Sequence, residues 1–455
     1  MIRVKYITLD DNRELAYFPE TKRFFFVDDE MKELIGDISQ ESKPAVMEKW
    51  SLEDAGYEEY LSCMVRPVKK RSSQKTDKKV LRRLVIHLAN DCNLRCVYCY
   101  ANGGVYRSEQ GMISREMLDR IMEVFYGEFD SIEMFQLFGG EPLLDLDLLE
   151  YACKRIRELE KEHNGKCTVG LVTNGTLIND RFIDIVKTYN VAVTISYDGT
   201  PEINDRLRPF PDGSGSSSLI LENMKKYRDA VGAFGIEVTY SQIHADAGVS
   251  VMEIYDHLHE MFPEAGIHIA PAGGTDACSF ALLDTEAFPR GMKEYARRLI
   301  NDPENPCRAY MSAESTIDLL EDKEAEPMSM FCGAGNSTLS VNTKGDIYPC
   351  FMLTDVDELH LGNVMEDNVF QSEHFKDNLY RLLAFSQKKG HEECRDCFID
   401  TVCGPCLGQL LLNTGEVFKL SPRDCERYRR TIEEGIKGLA ILSETMEAME
   451  AKAEE

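Results

Sequence analysis

Cysteine spacing carries most of the chemistry that can be read from this chain. Cys92, Cys96 and Cys99 form a CxxxCxxC loop. Three thiolates so placed can hold three irons of a 4Fe-4S cluster and leave the fourth iron open to a small molecule. They are also one ligand short of a structural zinc site. A second group comprises Cys332, Cys350, Cys394, Cys397, Cys403, Cys406 and Cys425, with Gly345 between the first two. Taken alone, its two CxxC pairs would suggest zinc. Of the other cysteines, Cys63, Cys153, Cys167, Cys278 and Cys307 lack cluster-like spacing, and Cys153 and Cys167 read as small buried hydrophobes. The first residues, MIRVKYITLDDNRELAYF, lack a secretory pattern, so a cytoplasmic location is expected, where thiols stay reduced and bind metals rather than pair.

The elements that must position these thiols follow from hydrophobic pattern. LVIHLAN, SIEMFQLF, TVGLVT, VAVTISY, IEVTYSQI and GIHIAP are short apolar runs separated by amphipathic stretches. The alternation predicts an α/β fold, a partial (β/α)6 TIM-like barrel with chemistry at the C-terminal ends of its strands. The CxxxCxxC loop directly follows the first of these strands. The second ends in Phe138-Gly139-Gly140-Glu141-Pro142, where the glycines allow close backbone approach to a ligand and Glu141 can accept from an ammonium group. On its own that segment also reads as an ordinary turn. The third ends in Thr173-Asn174-Gly175-Thr176 and the fourth in Ser196-Tyr197-Asp198-Gly199, with Asn204-Asp205-Arg206-Leu207-Arg208 beyond.

Outside the barrel, two or three short strand-like runs from Val4 to Val27 and three helical stretches to Met64 form a small α+β unit, within which Phe24, Phe25 and Phe26 read as packing residues. Lys69 to Arg83 holds eight Lys or Arg and reads as an exposed linker or, alternatively, a basic binding tail. The expected units are 1–67, a linker at 68–83, the barrel at 84–310, a cysteine-rich unit with one hairpin (STLSVNTKGDIYPC) at 311–430, and a terminal helix at 431–455. Pro209 to Ser218 reads as a flexible insertion. A formal charge of -27 disfavours nucleic acid and anionic membranes as partners, and no apolar run of membrane-spanning length occurs.

The Cys92 loop resembles the signature of the radical S-adenosylmethionine superfamily, and the GGEP turn resembles a second element of that family. The resemblance implies that Cys92, Cys96 and Cys99 hold a 4Fe-4S cluster whose open iron is chelated by S-adenosylmethionine, and that one electron cleaves the sulfonium to a 5′-deoxyadenosyl radical. It assigns Tyr98, Gly139, Gly140, Glu141, Asn174, Ser196 and Arg208 to the S-adenosylmethionine site, with Tyr98 beside adenine and Arg208 forking onto the carboxylate. The bland alternatives are a core tyrosine at Tyr98 and a surface arginine paired with Asp205 at Arg208.

The seven later cysteines resemble the SPASM extension, which carries two auxiliary 4Fe-4S clusters and brings the total to three. Carried over, Cys332, Cys350 and Cys406 hold the first, and Cys394, Cys397, Cys403 and Cys425 the second. Two residues separate Cys403 from Cys406 where the common pattern has three. The first auxiliary cluster then lacks a fourth ligand, for which Cys307, Cys278 or a substrate thiolate are candidates. The N-terminal unit resembles the small winged-helix-like peptide-recognition element of peptide maturases, which can bind a leader peptide as an added strand. Together these imply a maturase that joins a cysteine sulfur to a carbon of a ribosomally made precursor peptide, drawing electrons from a flavodoxin or ferredoxin in an anaerobic host. Alternatives are carbon-carbon crosslinking, sulfatase-type oxidation of Ser or Cys, and a non-catalytic iron-sulfur or zinc scaffold. Asp198 and His244, at the ends of the fourth and fifth strands, are the candidates for a catalytic base, with a hydrogen-bonded structural role as the alternative for both.

Overall fold

The computed structural model describes residues 2–66, 78–163, 165–302 and 306–453. Most of the basic run, and the boundary expected at residue 67, lie outside the described residues. Strands β1 (Lys5–Thr8), β2 (Glu14–Phe18) and β3 (Arg23–Val27) form an antiparallel sheet, followed by helices over Asp29–Gln40, Lys43–Trp50 and Asp54–Met64. The first helix starts where Asp28 accepts from the Met31 amide at 2.8 Å, with Asp29 and Glu30 favoured by the helix dipole. Alternation along β2 gives the sheet two buried faces. Ala16 and Phe18 pack on the unit's own helices, while Leu15 and Tyr17 join the main core with Ile7 and Leu9.

A two-residue ladder, β4 (Val80–Leu81) with β6 (Ser131–Ile132), precedes the barrel. Its six parallel strands are β5 (Arg83–Ala89), β7 (Met134–Gly139), β8 (Thr168–Thr173), β9 (Val191–Ser196), β10 (Gly235–Tyr240) and β11 (Gly266–Pro271), hydrogen-bonded in that order. Helices cover the outer face, so β5 is buried from Leu84 to Ala89, as parallel strands usually are. The barrel does not close between β11 and β5. Instead β12 (Thr338–Val341) runs parallel to β5, and β13 (Asp346–Tyr348) and β14 (Gly362–Asn363) continue antiparallel, giving one nine-stranded sheet. The cysteine-rich region is thereby fastened to the strand that leads into Cys92. No helix among the described residues is long and apolar enough to cross a membrane.

The terminal helix runs from Pro422 to Ala453 and carries Cys425 in its first turn. It lies along the helix Ala287–Asn301, burying Ile432, Ile436, Leu439 and Ala440. Gly438 permits that approach, because a Cβ there would stand 2.3 Å from the Ala296 Cβ.

Candidate functional site

A cavity of about 980 Å³ opens at the C-terminal ends of the barrel strands. Cys92, Cys96 and Cys99 line it together with Tyr98, Gly139, Gly140, Asn174, Ser196 and Arg208, so eight barrel positions singled out in the sequence, and Arg208 at the end of the helix Pro201–Leu207 that follows β9, meet in one space. Glycine is required where loops stack. A Cβ on Gly140 would stand 1.9 Å from the Asp91 carbonyl oxygen, and one on Gly139, at φ +135°, 2.4 Å from that of Ala89. These glycines seat the Cys92 loop on the turn after β7; the expectation was close approach to a ligand, and the close approach found is between backbones.

Glu141 does not line the cavity. It has no exposure, and its carboxylate accepts from the Leu143 amide (3.0 Å), the Thr173 hydroxyl (2.7 Å) and the Asn174 amide (2.7 Å). Burial pushes its pKa up while those donors oppose the rise. In this structure Glu141 is a strut between the ends of β7 and β8, not a group turned towards a ligand amine. Asn174 is braced as well: its Oδ1 accepts from the Thr176 amide at 2.9 Å, and its Nδ2 donates to Asn93 Oδ1 at 2.8 Å and reaches Cys92 Sγ at 3.7 Å.

Arg208 is 6% exposed and donates to Tyr98 Oη at 2.7 Å; Tyr98 donates to Asp198 Oδ2 at 2.5 Å. Asp205 instead accepts from the Ser217 amide at 2.7 Å, so the surface pairing considered for Arg208 is not formed. Arg208 Nε is buried with no hydrogen-bond partner among the described residues. A fixed guanidinium with a spare N–H, lining the cavity near Cys96, suits a ligand carboxylate.

The two candidate bases lie behind the cavity wall. Asp198 has no exposure and accepts from Tyr98 and, at 2.9 Å, from the Thr239 amide. His244 is also fully buried, with Nδ1 accepting from the Ser241 amide at 3.0 Å and Nε2 placed 2.9 Å from the Asp198 carbonyl, to which it donates. Desolvation lowers its pKa, which keeps this bridging imidazole neutral. Both residues brace strand ends and neither reaches the cavity.

Burial pushes the Cys92 thiol up to about 12 and the Cys96 thiol up to about 11. Such thiols become thiolates when a cation takes the proton's place. Cys394, Cys397, Cys403 and Cys425 line a separate small void of about 30 Å³, beside Lys388 and Arg429. Those two cations suit the net negative charge of a thiolate-bound cluster. Cys406 lines the large cavity, and the charges of Cys332 and Cys406 both act on the buried Cys350 thiol, so the three are neighbours. Tyr100 stands near both Cys99 and Cys350, with its ring 6.4 Å from that of Phe351.

Sequence reading missed the polar side chains inside the barrel. Gln136, Glu237, Thr239 and His268 all line the cavity, and His268 Nδ1 lies 2.9 Å from Glu237. His268 is exposed to the cavity, so desolvation opposes its charge only weakly, and the Glu237 carboxylate outweighs it and raises the pKa. The signal was present as polar residues at alternate positions of apolar strands.

Residues 86–260 match the Radical SAM superfamily, and residues 332–398 match an iron-sulfur cluster-binding domain, SPASM. A cysteine-type anaerobic sulfatase-maturating enzyme of Clostridium novyi is 24% identical over 379 residues, 81% of this chain and 98% of that one. Among solved structures, anSMEcpe with bound AdoMet covers 80% of this chain and 99% of its own, at 20% identity and a TM-score of 0.66. Streptococcus suis SuiB bound to the precursor peptide SuiA covers 92% of this chain and 100% of its own, at 14% identity and a TM-score of 0.51.

Proposed function

Because the chain is a radical S-adenosylmethionine enzyme with a SPASM domain, related to maturating enzymes, we propose that it matures a ribosomally made precursor peptide by joining a cysteine sulfur to a carbon as a thioether. One observation carries the reading: Cys92, Cys96 and Cys99 share a single large cavity with Cys406, so one bound segment can lie against both sulfur groups. When bound, S-adenosylmethionine on a cluster held by Cys92, Cys96 and Cys99 would supply a 5′-deoxyadenosyl radical for hydrogen abstraction. Arg208 would hold the methionyl carboxylate, with Tyr98 and Asp198 fixing the orientation of the guanidinium. Asn174 and Ser196 would border the nucleoside, with Glu141 bracing Asn174 from behind the wall. Cys332, Cys350 and Cys406 hold one auxiliary cluster, and Cys394, Cys397, Cys403 and Cys425 the other.

The N-terminal sheet binds a leader peptide at an edge strand, and a flavodoxin or ferredoxin delivers electrons. The likeness to SuiB, whose structure holds a precursor peptide, extends over more of this chain than the likeness to anSMEcpe, 92% against 80%, which favours the peptide reading. The test begins with an anaerobic iron and sulfide count on reconstituted wild type and on the Cys92→Ala, Cys96→Ala, Cys99→Ala triple variant. About twelve irons falling to about eight, with 5′-deoxyadenosine formation abolished, is expected. A cysteine-bearing precursor peptide should then lose a pair of hydrogen atoms and become resistant to thiol alkylation.

The similarity to sulfatase-maturating enzymes supports a second reading, oxidation of a Ser or Cys to an aldehyde. A product that reacts with a hydrazide would establish that reading and overturn the thioether.

A further inference from the structure

A thioether-forming reaction must dispose of the thiol proton of its cysteine, because the thiolate is the form that bonds to carbon or to an open iron. Of the chain's own sulfurs considered for that iron, Cys307 is 1% exposed in the main apolar core and Cys278 does not line the cavity, which leaves the sulfur of the substrate. Asp198 and His244 lie behind the wall. Among the described residues that line the cavity, Glu237 is the only carboxylate and His268 the only imidazole. The other ionisable groups there cannot take a proton near neutrality. Arg83, Arg208 and Arg427 are already protonated, and burial raises the pKa of Tyr98, Tyr100, Tyr310 and Tyr428. Helix Met311–Glu321, joined to β11 where the Ile269 amide donates to Ser312 at 3.1 Å, and helix Ala287–Asn301 turn no ionisable side chain to the cavity.

Strand register sets the pair in place. Ser196, Glu237 and His268 are direct neighbours across β9, β10 and β11. Ile236, Val238 and Ile267 face the outer core with no exposure, so alternation turns Glu237 and His268 into the cavity, where their side chains are 36% and 46% exposed. An ionised carboxylate only accepts, so Nδ1 carries the hydrogen of the 2.9 Å contact to Glu237, which fixes the tautomer. Nε2 keeps its lone pair and has no hydrogen-bond partner among the described residues. So exposed a pair adds little to stability, and packing does not account for it. The strand of Ser196, which borders the nucleoside on the reading above, lies two strand spacings away, about 10 Å, which leaves room for a substrate side chain between them.

Resting on the thioether reading, we propose that His268 is the catalytic base for the substrate cysteine, with Glu237 as the positioning residue that orients it. The S–H bond breaks, its proton goes to Nε2, and the electron pair stays on sulfur. The C–S bond then forms with loss of one hydrogen atom from carbon to the deoxyadenosyl radical and of one electron to an iron-sulfur cluster. The imidazolium returns its proton to solvent.

The test uses full-length protein reconstituted anaerobically and a synthetic cysteine-bearing peptide that the wild type crosslinks. His268→Gln should form at least about a hundredfold fewer crosslinks per 5′-deoxyadenosine at pH 7. Near pH 9 the deficit should shrink, because a free thiol, with a pKa of about 8.5, ionises there unaided. Damaged packing would not be repaired by alkali. An unchanged ratio, or a deficit that alkali does not relieve, overturns the base. A second readout needs no turnover. Desolvation lowers and Glu237 raises the pKa of His268, with a net rise from 6.5, so carbethoxylation of His268 by diethyl pyrocarbonate, located by peptide mapping, should have a midpoint above that value. Glu237→Gln, which keeps the imidazole, should move that midpoint down by about one pH unit, and the rising limb of the crosslinking rate with it. Coincident profiles overturn the pairing and the proposal. Failure of the thioether reading is seen in the wild type alone: no peptide crosslinked, or a hydrazide-reactive product instead, removes that reading and the base with it.

Discussion

His87 sits in β5 with no exposure, its Nε2 3.0 Å from Ser340 Oγ and its Nδ1 without a hydrogen-bond partner among the described residues. Desolvation takes its pKa from 6.5 down to about 4, against a smaller upward pull from Asp355. A depressed base gives stability that is complete above its unfolded pKa and lost as pH falls towards its folded one. His87 should therefore cost about 2 kcal/mol of stability between pH 7 and pH 5, and about 3 kcal/mol by pH 4. His87→Gln should flatten that part of the pH profile in urea unfolding of the cluster-free protein; an unchanged slope refutes it. Arg208 makes a separate prediction. Lys cannot fork onto a carboxylate or hold Tyr98 in the same plane, so Arg208→Lys should weaken S-adenosylmethionine binding at least about tenfold with iron content unchanged. Binding followed through the cluster's electron paramagnetic resonance would show it. Arg208 stood out through the family resemblance of the segment after the fourth strand; for His244 the sequence left a base and a hydrogen-bonded structural role both open, because it cannot tell which way a strand-end imidazole turns, and here it turns inward to the Asp198 carbonyl.

Among the elements, the turn after β7 sets the geometry of the first cysteine loop. The Glu141 amide donates to the Asp91 carbonyl at 2.8 Å, and Gly140 lies flat against the same oxygen. Gly140→Ala must part the two segments, so reconstituted protein should lose about four of about twelve irons, those at Cys92, Cys96 and Cys99, and keep the rest. Gly438→Leu should instead drive the terminal helix from Ala296, at a cost of about 1–3 kcal/mol in overpacking, and speed hydrogen exchange across 422–453. The six barrel strands were legible because each is a compact apolar run. The pairing of Thr338–Val341 with Arg83–Ile86 was not, since no local signal records a partner so distant in sequence. Glu237 and His268 escaped notice for the opposite reason: their strands read as apolar overall, and the alternation that turns them into the cavity is visible only when each strand is divided by face.

At the scale of the whole molecule, the N-terminal unit is part of the body rather than an appendage. The sequence suggested a recognition module because its strands followed by helices resemble the peptide-recognition element of peptide maturases, and a charged run sets it off from the barrel. What could not be read is that β2 divides its residues between two cores. Arg3 pairs with Asp400 at 2.7 Å, the Thr401 hydroxyl donates to the Pro19 carbonyl at 2.9 Å, and Lys22 Nζ donates to the Asp322 carbonyl at 2.8 Å. Asp400 lines the void of Cys394, Cys397, Cys403 and Cys425, so the contacts to Asp400 and Thr401 grip the loop that carries Cys397 and Cys403. A module that only recognised peptide could be deleted without touching the metal content. Deletion of residues 2–66 should instead release that loop and expose the apolar surface under Leu15 and Tyr17. Iron in reconstituted protein should fall from about twelve to about eight, with 5′-deoxyadenosine still formed without peptide. Arg3→Ala, which leaves the sheet in place, should lower iron less. Full iron content in the deletion variant would make the unit a recognition module alone and the contact to Asp400 incidental.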